Sequence, residues 1–128
     1  MRPSDDELLY DITEFARELE QWVADKTVED LLDDRGLQLI ITKLVENIGE
    51  AATQVSQQRR SELPQIPWRE MATTRHRLVH GYRRIDLEIL WETASESVIE
   101  LLEVLEPVIS ALEAEFAERE VHADSHDA

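Results

Sequence analysis

The sequence predicts an all-α protein, an up-and-down four-helix bundle with a short third helix and a kinked long fourth helix. Apolar residues recur at spacings of three and four along almost the whole chain, which is the period of amphipathic helices. Only 3 glycines and 4 prolines interrupt the 128 residues, and no alternating stretch is long enough for a strand. A hydrophobic share of 42% beside 33% charged residues is typical of one folded domain, which we place at 1–118.

The first two long helices are marked by caps and apolar stripes. Ser4 and Glu7 have the spacing of a capping box, so the first helix is predicted to begin there. Thr27 is expected to cap a short turn that ends near Gly36. The residues expected to be buried by the first helix are Leu8, Leu9, Ile12, Phe15, Leu19, Trp22 and Val23. Those of the second helix are Leu37, Ile40, Ile41, Leu44, Val45, Ile48, Ala51, Ala52 and Val55.

Prolines divide the second half of the chain. The segment SELPQIPWRE at 61–70 breaks the second helix, because proline biases the residue before it away from helix. Pro67 suits the first turn of a short third helix that ends near Gly81. Asp86 can cap the long fourth helix, which Pro107 is expected to kink without ending it. The remaining residues, 119–128, carry no stripe and are predicted to form a disordered acidic tail.

The fourth helix has more apolar residues than one face can bury. Its main stripe comprises Leu87, Leu90, Trp91, Ala94, Val98, Leu101, Leu102, Leu105, Ile109, Leu112 and Phe116. The additional residues are Ile89, Ile99, Val104 and Val108. They predict a second packing surface such as a homodimer interface.

Several classes of protein are excluded by composition. The chain has no cysteine, so it has no disulfide, zinc–thiolate site or thiol nucleophile. No signal-peptide pattern and no apolar run of ~20 residues is present, so we expect a cytoplasmic protein that does not enter a membrane. His76 and the pair His122 and His126 are metal-ligand types, but the pair lies in the predicted tail without supporting ligands. We therefore expect neither a metal ion nor a cofactor.

Positive charge is concentrated in one segment of this acidic chain. The formal net charge is −16, yet residues 59–84 contain seven arginines and two acidic residues, a local charge of +5. The other 102 residues carry −21. Because local potential governs encounters with a polyanion more than net charge does, this segment can accept a nucleic acid. The alternative, which composition leaves open, is that the arginines pair with the acidic excess elsewhere.

Arg75 is anomalous on the predicted third helix. On a wheel of ~100° per residue it falls in the middle of an apolar stripe. A guanidinium on a packing face needs hydrogen-bonding partners, because an unpaired buried cation is costly. Either an acidic residue of another helix or an anionic ligand in an interfacial cleft provides them, and the sequence leaves both open. The stripe comprises Trp68, Met71, Ala72, Leu78 and Val79.

His80 and Tyr82 flank Gly81 at the end of the same helix. His80 lies roughly 140° around an ideal helix from Arg75, so the two side chains diverge. They meet only if the helix unwinds at Gly81 or if a twofold axis brings two copies together. Backbone freedom at Gly81 can also turn Tyr82 toward His80. Taken singly, a histidine and a tyrosine at a helix end are more often packing residues than reactive ones.

The segment RHRLVHGY at 75–82 resembles the R-x4-H-x-Y motif of HepT-like toxins in the HEPN superfamily. The resemblance includes ENIGEAA at 46–52, IPWREM at 66–71 and YRRIDLEILWE at 82–92, and it extends to about residue 105. His76 stands where the family commonly has asparagine. Histidine is also polar, so His76 is a candidate supporting residue.

The resemblance implies a HEPN-like bundle and a homodimeric, metal-independent endoribonuclease in which Arg75 and His80 of both subunits line a shared cleft. It also implies the toxin of a type VII-like toxin–antitoxin system. The antitoxin of such a system is a minimal nucleotidyltransferase, which transfers AMP to the motif tyrosine, here Tyr82. Candidates for contacts with RNA phosphates are Arg77, Arg83 and Arg84. The alternative function is a non-catalytic helical module that docks a nucleotidyltransferase and helps present its substrate.

Overall fold

The computed structural model describes residues 2–79 and 86–126, with side chains for 2–73 and 86–121. The elements are α1 (Asp5–Val23), α2 (Val28–Asp33), α3 (Arg35–Gln54), α4 (Gln57–Glu62), α5 (Trp68–Val79), α6 (Leu87–Glu92), a π-helical segment (Thr93–Ser97) and α7 (Val98–His126). Within the described ranges every regular element is helical, which confirms the predicted fold class.

The core lies where α1, α3 and α7 meet. Helix α1 packs against both α3 and α7, and α3 packs in turn against α5. The short α2 contacts α3 and α6 and closes one end of this arrangement. Residues with at most 1% of their surface exposed include Leu9, Ile12, Leu19, Leu31, Ile41, Leu90, Leu105 and Ile109, which come from α1, α2, α3, α6 and α7. The apolar stripes therefore meet in a single helical bundle, as the sequence predicts.

The predicted caps are confirmed. The Ser4 hydroxyl accepts from the Glu7 backbone N–H at 3.1 Å, and the Glu7 carboxylate accepts from the Ser4 N–H at 3.0 Å. Thr27 caps α2 in the same reciprocal manner. The Asp86 carboxylate accepts from the Ile89 N–H at 3.1 Å. Each cap satisfies backbone donors that the first turn of a helix leaves without a partner.

The predicted burial of Trp22, Ile40 and Phe116 is wrong. Their exposed fractions are 38%, 36% and 61%. Trp22 lies in the last turn of α1, and Ile40 lies beside the exposed Leu39 on the outer edge of α3. All described side chains from 113 to 121 are exposed, so Phe116 lies beyond the part of α7 that packs on the bundle.

Two local structures were not expected from the sequence. Helix α3 ends at Gln54, before the break predicted at 61–70, and the separate short helix α4 follows it. The π-helical segment interrupts what was predicted to be one α-helix. There the Ser95 hydroxyl donates to the Trp91 carbonyl at 2.6 Å. A side-chain donor on that carbonyl competes with the regular backbone bond and favours a wider turn.

Helix α7 continues through Pro107, as predicted, and extends to His126. The sequence predicts a disordered tail from residue 119, whereas the backbone is helical through His126. The physical reason is the high helix propensity of the alanine and glutamate residues, which carries the helix past the end of the apolar stripe. A bidentate pair between Arg17 and Glu106 joins α7 to α1.

Candidate functional site

Helix α5 carries the first part of the predicted motif. The Pro67 carbonyl accepts from the Met71 N–H at 3.1 Å, so the helix begins directly after this proline, as expected. Residues 75–79 continue the helix, and their side chains lie outside the described part. The predicted site residues His80, Tyr82, Arg83 and Arg84 lie outside the described residues altogether, as do the side chains of Arg75, His76 and Arg77.

The start of α5 is fixed to the bundle by Trp68. Its indole N–H donates to the Leu63 carbonyl at 3.0 Å, and its ring packs against the core. Ile66 is 2% exposed and anchors the loop before the helix. Met71 is half-buried against the same core, and α3 forms the main support of α5. These contacts hold the motif-bearing helix in a defined position at its N-terminal end.

Helix α4 is held to the start of α1 by polar contacts. Asp5 accepts from the Ser56 hydroxyl at 2.6 Å and from the Ser56 N–H at 2.9 Å. These two hydrogen bonds keep the pKa of Asp5 below its ordinary value. Arg59 lies between Asp6 at 3.4 Å and Glu62 at 3.0 Å. Arg59 thus has a structural role, which supports the paired-arginine alternative for this one member of the basic segment.

Arg60 and Arg69 are placed differently from Arg59. The Arg60 guanidinium donates to the Val55 carbonyl at 2.9 Å and to the Thr53 carbonyl at 3.1 Å. It therefore satisfies acceptors at the C-terminal end of α3, where a cation also suits the helix dipole. Arg69 is exposed on α5. Among the described side chains, neither of these two arginines forms an ion pair.

Two depressions flank α5. An open groove of about 550 Å³ lies between α4 and α5 and is lined by Gln57, Arg60, Ser61, Trp68, Arg69, Ala72 and Thr73. A narrower and mostly apolar cleft of about 80 Å³ lies between α5, α3 and the π-helical segment. Its polar lining residues are Glu70, Thr93 and Ser97. We call the first depression the α4–α5 groove; it is the basic one.

Comparison with known proteins identifies the chain. A family model described as ribonuclease HepT-like matches residues 12–108. The chain belongs to the ribonuclease HepT-like family. A probable ribonuclease HepT of Thermococcus cleftensis is 35% identical over 77% of this chain and 89% of its own length. A protein of Methanocaldococcus jannaschii named as a putative RNase is 32% identical over 84% of this chain and 88% of its own length. No solved structure matches.

The span of the HepT-like match agrees with the resemblance read from the sequence. It begins within α1, includes all of α5 and the motif at 75–82, and ends one residue after Pro107. The exposed end of α7 lies outside it.

Sequence reasoning did not predict the two depressions, although many of their lining residues belong to the predicted apolar stripes or to the basic segment. Arg69 was counted in the basic segment, but its place in a groove depends on the unpredicted α4. Thr93 and Ser97 reach the cleft through the equally unpredicted π-helical segment. In the part of the chain that the structure describes, no group of three or more histidine, aspartate or glutamate side chains is arranged to hold a metal ion. No described helix is long and apolar enough to cross a membrane.

Proposed function

We propose that this protein is the toxin of a type VII-like toxin–antitoxin system, a cytoplasmic homodimer that cleaves RNA internally without a metal ion. The observation that carries the proposal is the ribonuclease HepT-like match over 12–108, which includes the whole R-x4-H-x-Y motif. The half-buried Ile89, Ile99, Val104 and Val108 support a dimer, because they leave apolar surface beyond the main stripe.

His80 is the proposed proton acceptor. An imidazole has an ordinary pKa of ~6.5, which suits proton transfer near neutrality. It removes the proton of a ribose 2′-hydroxyl, and the 2′-oxygen forms a bond to the adjacent phosphorus. The bond from phosphorus to the 5′-oxygen breaks, and that oxygen takes up a proton. The products are a 2′,3′-cyclic phosphate and a 5′-hydroxyl end.

Arg75 is proposed to stabilise the charge that develops on the attacked phosphate, a role that suits its fixed fork of donors. Arg77, Arg83 and Arg84 hold neighbouring phosphates, and His76 supports the site as a polar neighbour. Because His80 and Arg75 diverge on one ideal helix, a cleft shared by two subunits explains how both reach one phosphate.

Inactivation is proposed to occur at Tyr82. A cognate minimal nucleotidyltransferase brings ATP, the tyrosine hydroxyl attacks the α-phosphate, and pyrophosphate leaves. The new phosphodiester is negatively charged and lies in sequence beside Arg83 and Arg84. It competes with an RNA phosphate for these cations, and the attached nucleoside blocks the cleft. Charge and steric bulk therefore act in the same direction.

Cleavage of RNA in excess chelator tests the activity. We expect the parent protein to cleave single-stranded RNA, to spare DNA of the same sequence, and to lose cleavage by at least about 100-fold in His80→Ala, as for other general bases. A His122→Ala variant, changed at a histidine outside the matched family span, is the control and should cleave like the parent. A folded dimer that binds the nucleotidyltransferase tightly but cleaves nothing would instead support the non-catalytic docking module.

Modification of Tyr82 is tested separately by mass spectrometry. Incubation with the cognate enzyme and ATP should add AMP to the parent protein and leave Tyr82→Phe unmodified, because the phenolic oxygen is the acceptor. Tyr10→Phe is the matched control and should be modified like the parent. Addition of AMP to the Tyr82→Phe protein would refute the assignment.

A further inference from the structure

The α4–α5 groove has the composition of a nucleotide-binding surface. In a chain of net charge −16, its lining contains two arginines, one tryptophan and three uncharged polar side chains, and it contains no carboxylate. We propose that this groove binds nucleotides of single-stranded RNA that flank the cleaved bond, with Arg69 contacting a backbone phosphate. The inference rests on the proposed ribonuclease function and adds a substrate-binding site to it.

Arg69 is available for a phosphate. Its side chain is exposed, and it forms neither an ion pair nor a hydrogen bond with another described side chain. This separates it from Arg59, which lies between two carboxylates. Arg60, on the opposite wall, donates only to backbone carbonyls, so no described carboxylate offsets its charge. The groove is therefore positive on both sides, which favours a polyanion.

Trp68 supplies a surface for a base. Its indole N–H is already bonded to the Leu63 carbonyl, which fixes the ring orientation. Trp68 and Ala72 form the apolar part of the lining, and Gln57, Ser61 and Thr73 add donors and acceptors. Aromatic surface next to cations is the combination that binds single-stranded nucleic acids with little sequence preference, because every base has a flat face. A groove lined by an aromatic ring and two cations fits a nucleotide better than it fits an apolar helix of a protein partner.

The position of the groove along α5 makes it a flanking site. Arg69 is six residues before Arg75, the residue proposed to contact the cleaved phosphate, which is about 9 Å along the helix at ~1.5 Å per residue. A stacked strand advances ~3.4 Å per nucleotide, so this distance corresponds to roughly two to three nucleotide steps. A phosphate at Arg69 is thus not the phosphate that is cleaved. The groove consequently contributes to binding only when the RNA is long enough to extend from the cleaved phosphate to Arg69.

Steady-state cleavage of two substrates by Arg69→Gln tests this site. For a long single-stranded RNA we expect KM to rise roughly 3- to 10-fold with kcat unchanged, and the slope of log KM against log salt to fall by about 1, the value for one phosphate contact. For a dinucleotide, which cannot span the distance, KM should stay unchanged. Arg119→Gln, exposed near the end of α7, is the matched control and should behave like the parent on both substrates.

The possible outcomes distinguish failure of the proposed binding groove from failure of the proposed ribonuclease activity. Equal effects of Arg69→Gln on the long RNA and the dinucleotide, or no effect on either, would overturn the groove and leave the ribonuclease proposal standing. Unchanged RNA kinetics with weakened binding of the nucleotidyltransferase would assign the groove to a protein partner instead. A parent protein that cleaves neither substrate would refute the ribonuclease proposal itself, and the groove with it.

Discussion

The arginines of residues 59–84 differ in what they bond, although the sequence presents them as one basic segment. Arg59 is held by two carboxylates, and Arg60 donates to two backbone carbonyls at the C-terminal end of α3, those of Thr53 and Val55. Arg69 is exposed without an ion pair among the described side chains. Of these three, only Arg69 has a guanidinium that is free to contact a ligand. The basic segment therefore contains both structural and candidate binding residues.

Arg17 and Glu106 show how little a surface pair contributes. Two hydrogen bonds of 3.1 and 2.9 Å join the guanidinium to the carboxylate, and they hold the pKa of Glu106 below its ordinary value of 4.5. The side chains are 40% and 47% exposed, so solvent screens the attraction. We expect about 0.5–1 kcal/mol of folding stability from this pair.

Glu106→Gln should lower the free energy of unfolding by about 0.5–1 kcal/mol at neutral pH. The lowered pKa means that the folded state favours the ionised form, so this stability is present above pH 4.5 and is lost as pH falls through the folded pKa. Urea unfolding at descending pH should therefore show the variant and the parent converging in acid. Glu103→Gln, an exposed neighbour on α7, is the control. A difference that persists in acid would show that packing, not charge, is responsible.

At the scale of the element, α7 contains a proline, Pro107, which is unfavourable inside a helix. Pro107 is exposed in the helix interior, where it cannot donate a backbone hydrogen bond and its ring crowds the preceding turn. The helix nevertheless continues on both sides, because its main apolar stripe is buried against the bundle, namely Val98, Leu101, Leu102, Leu105 and Ile109. Tertiary packing thus overrides local propensity here.

Pro107→Ala should raise the free energy of unfolding by about 1–3 kcal/mol, because alanine restores the missing donor and removes the clash. Chemical unfolding measures the change. Ser110→Ala, less than one turn further along the exposed surface, is the control and should stay within about 0.5 kcal/mol of the parent. A destabilised Pro107→Ala protein would indicate that packing of α7 depends on proline at this position.

Helix boundaries were predictable where a cap is local. Ser4, Thr27 and Asp86 each bond to backbone within three residues, so their signal is contained in the sequence. Helix α4 was not predictable in the same way, because its first turn depends on Asp5 bonding to Ser56 across 51 positions of the chain. The π-helical segment leaves the spacing of the apolar stripe unchanged, so periodicity gives no sign of it.

The candidate site was predictable in part for the same reason. The motif at 75–82 is contiguous, and the HepT-like match includes it whole. The α4–α5 groove joins residues of two helices that only the folded chain brings together. The side chain of Arg75 lies outside the described part of the chain. Its pairing with an acidic residue and its contact with an anionic ligand therefore both stay predictions.

At the scale of the whole molecule, positive charge is concentrated in one segment and negative charge is spread over the rest of the chain. The bundle carries its acidic excess on most of its surface, while the segment 59–84 carries +5 and includes α5 and six of the seven residues that line the α4–α5 groove. This charge distribution favours a polyanion along α5 over the rest of the surface, as proposed for RNA. The arrangement supports the proposed ribonuclease site on α5. The half-buried apolar residues of α6 and α7 support the proposed homodimer.

The most direct test of the central proposal is the chemistry of the RNA ends. The parent protein is incubated with single-stranded RNA in chelator, and the fragments are weighed by mass spectrometry. We expect fragments ending in a 2′,3′-cyclic phosphate, paired with 5′-hydroxyl fragments, and no such fragments from Arg75→Ala or His80→Ala proteins that remain folded. Ends bearing a 5′-phosphate, or cleavage that persists in both variants, would contradict attack by the 2′-hydroxyl at this motif.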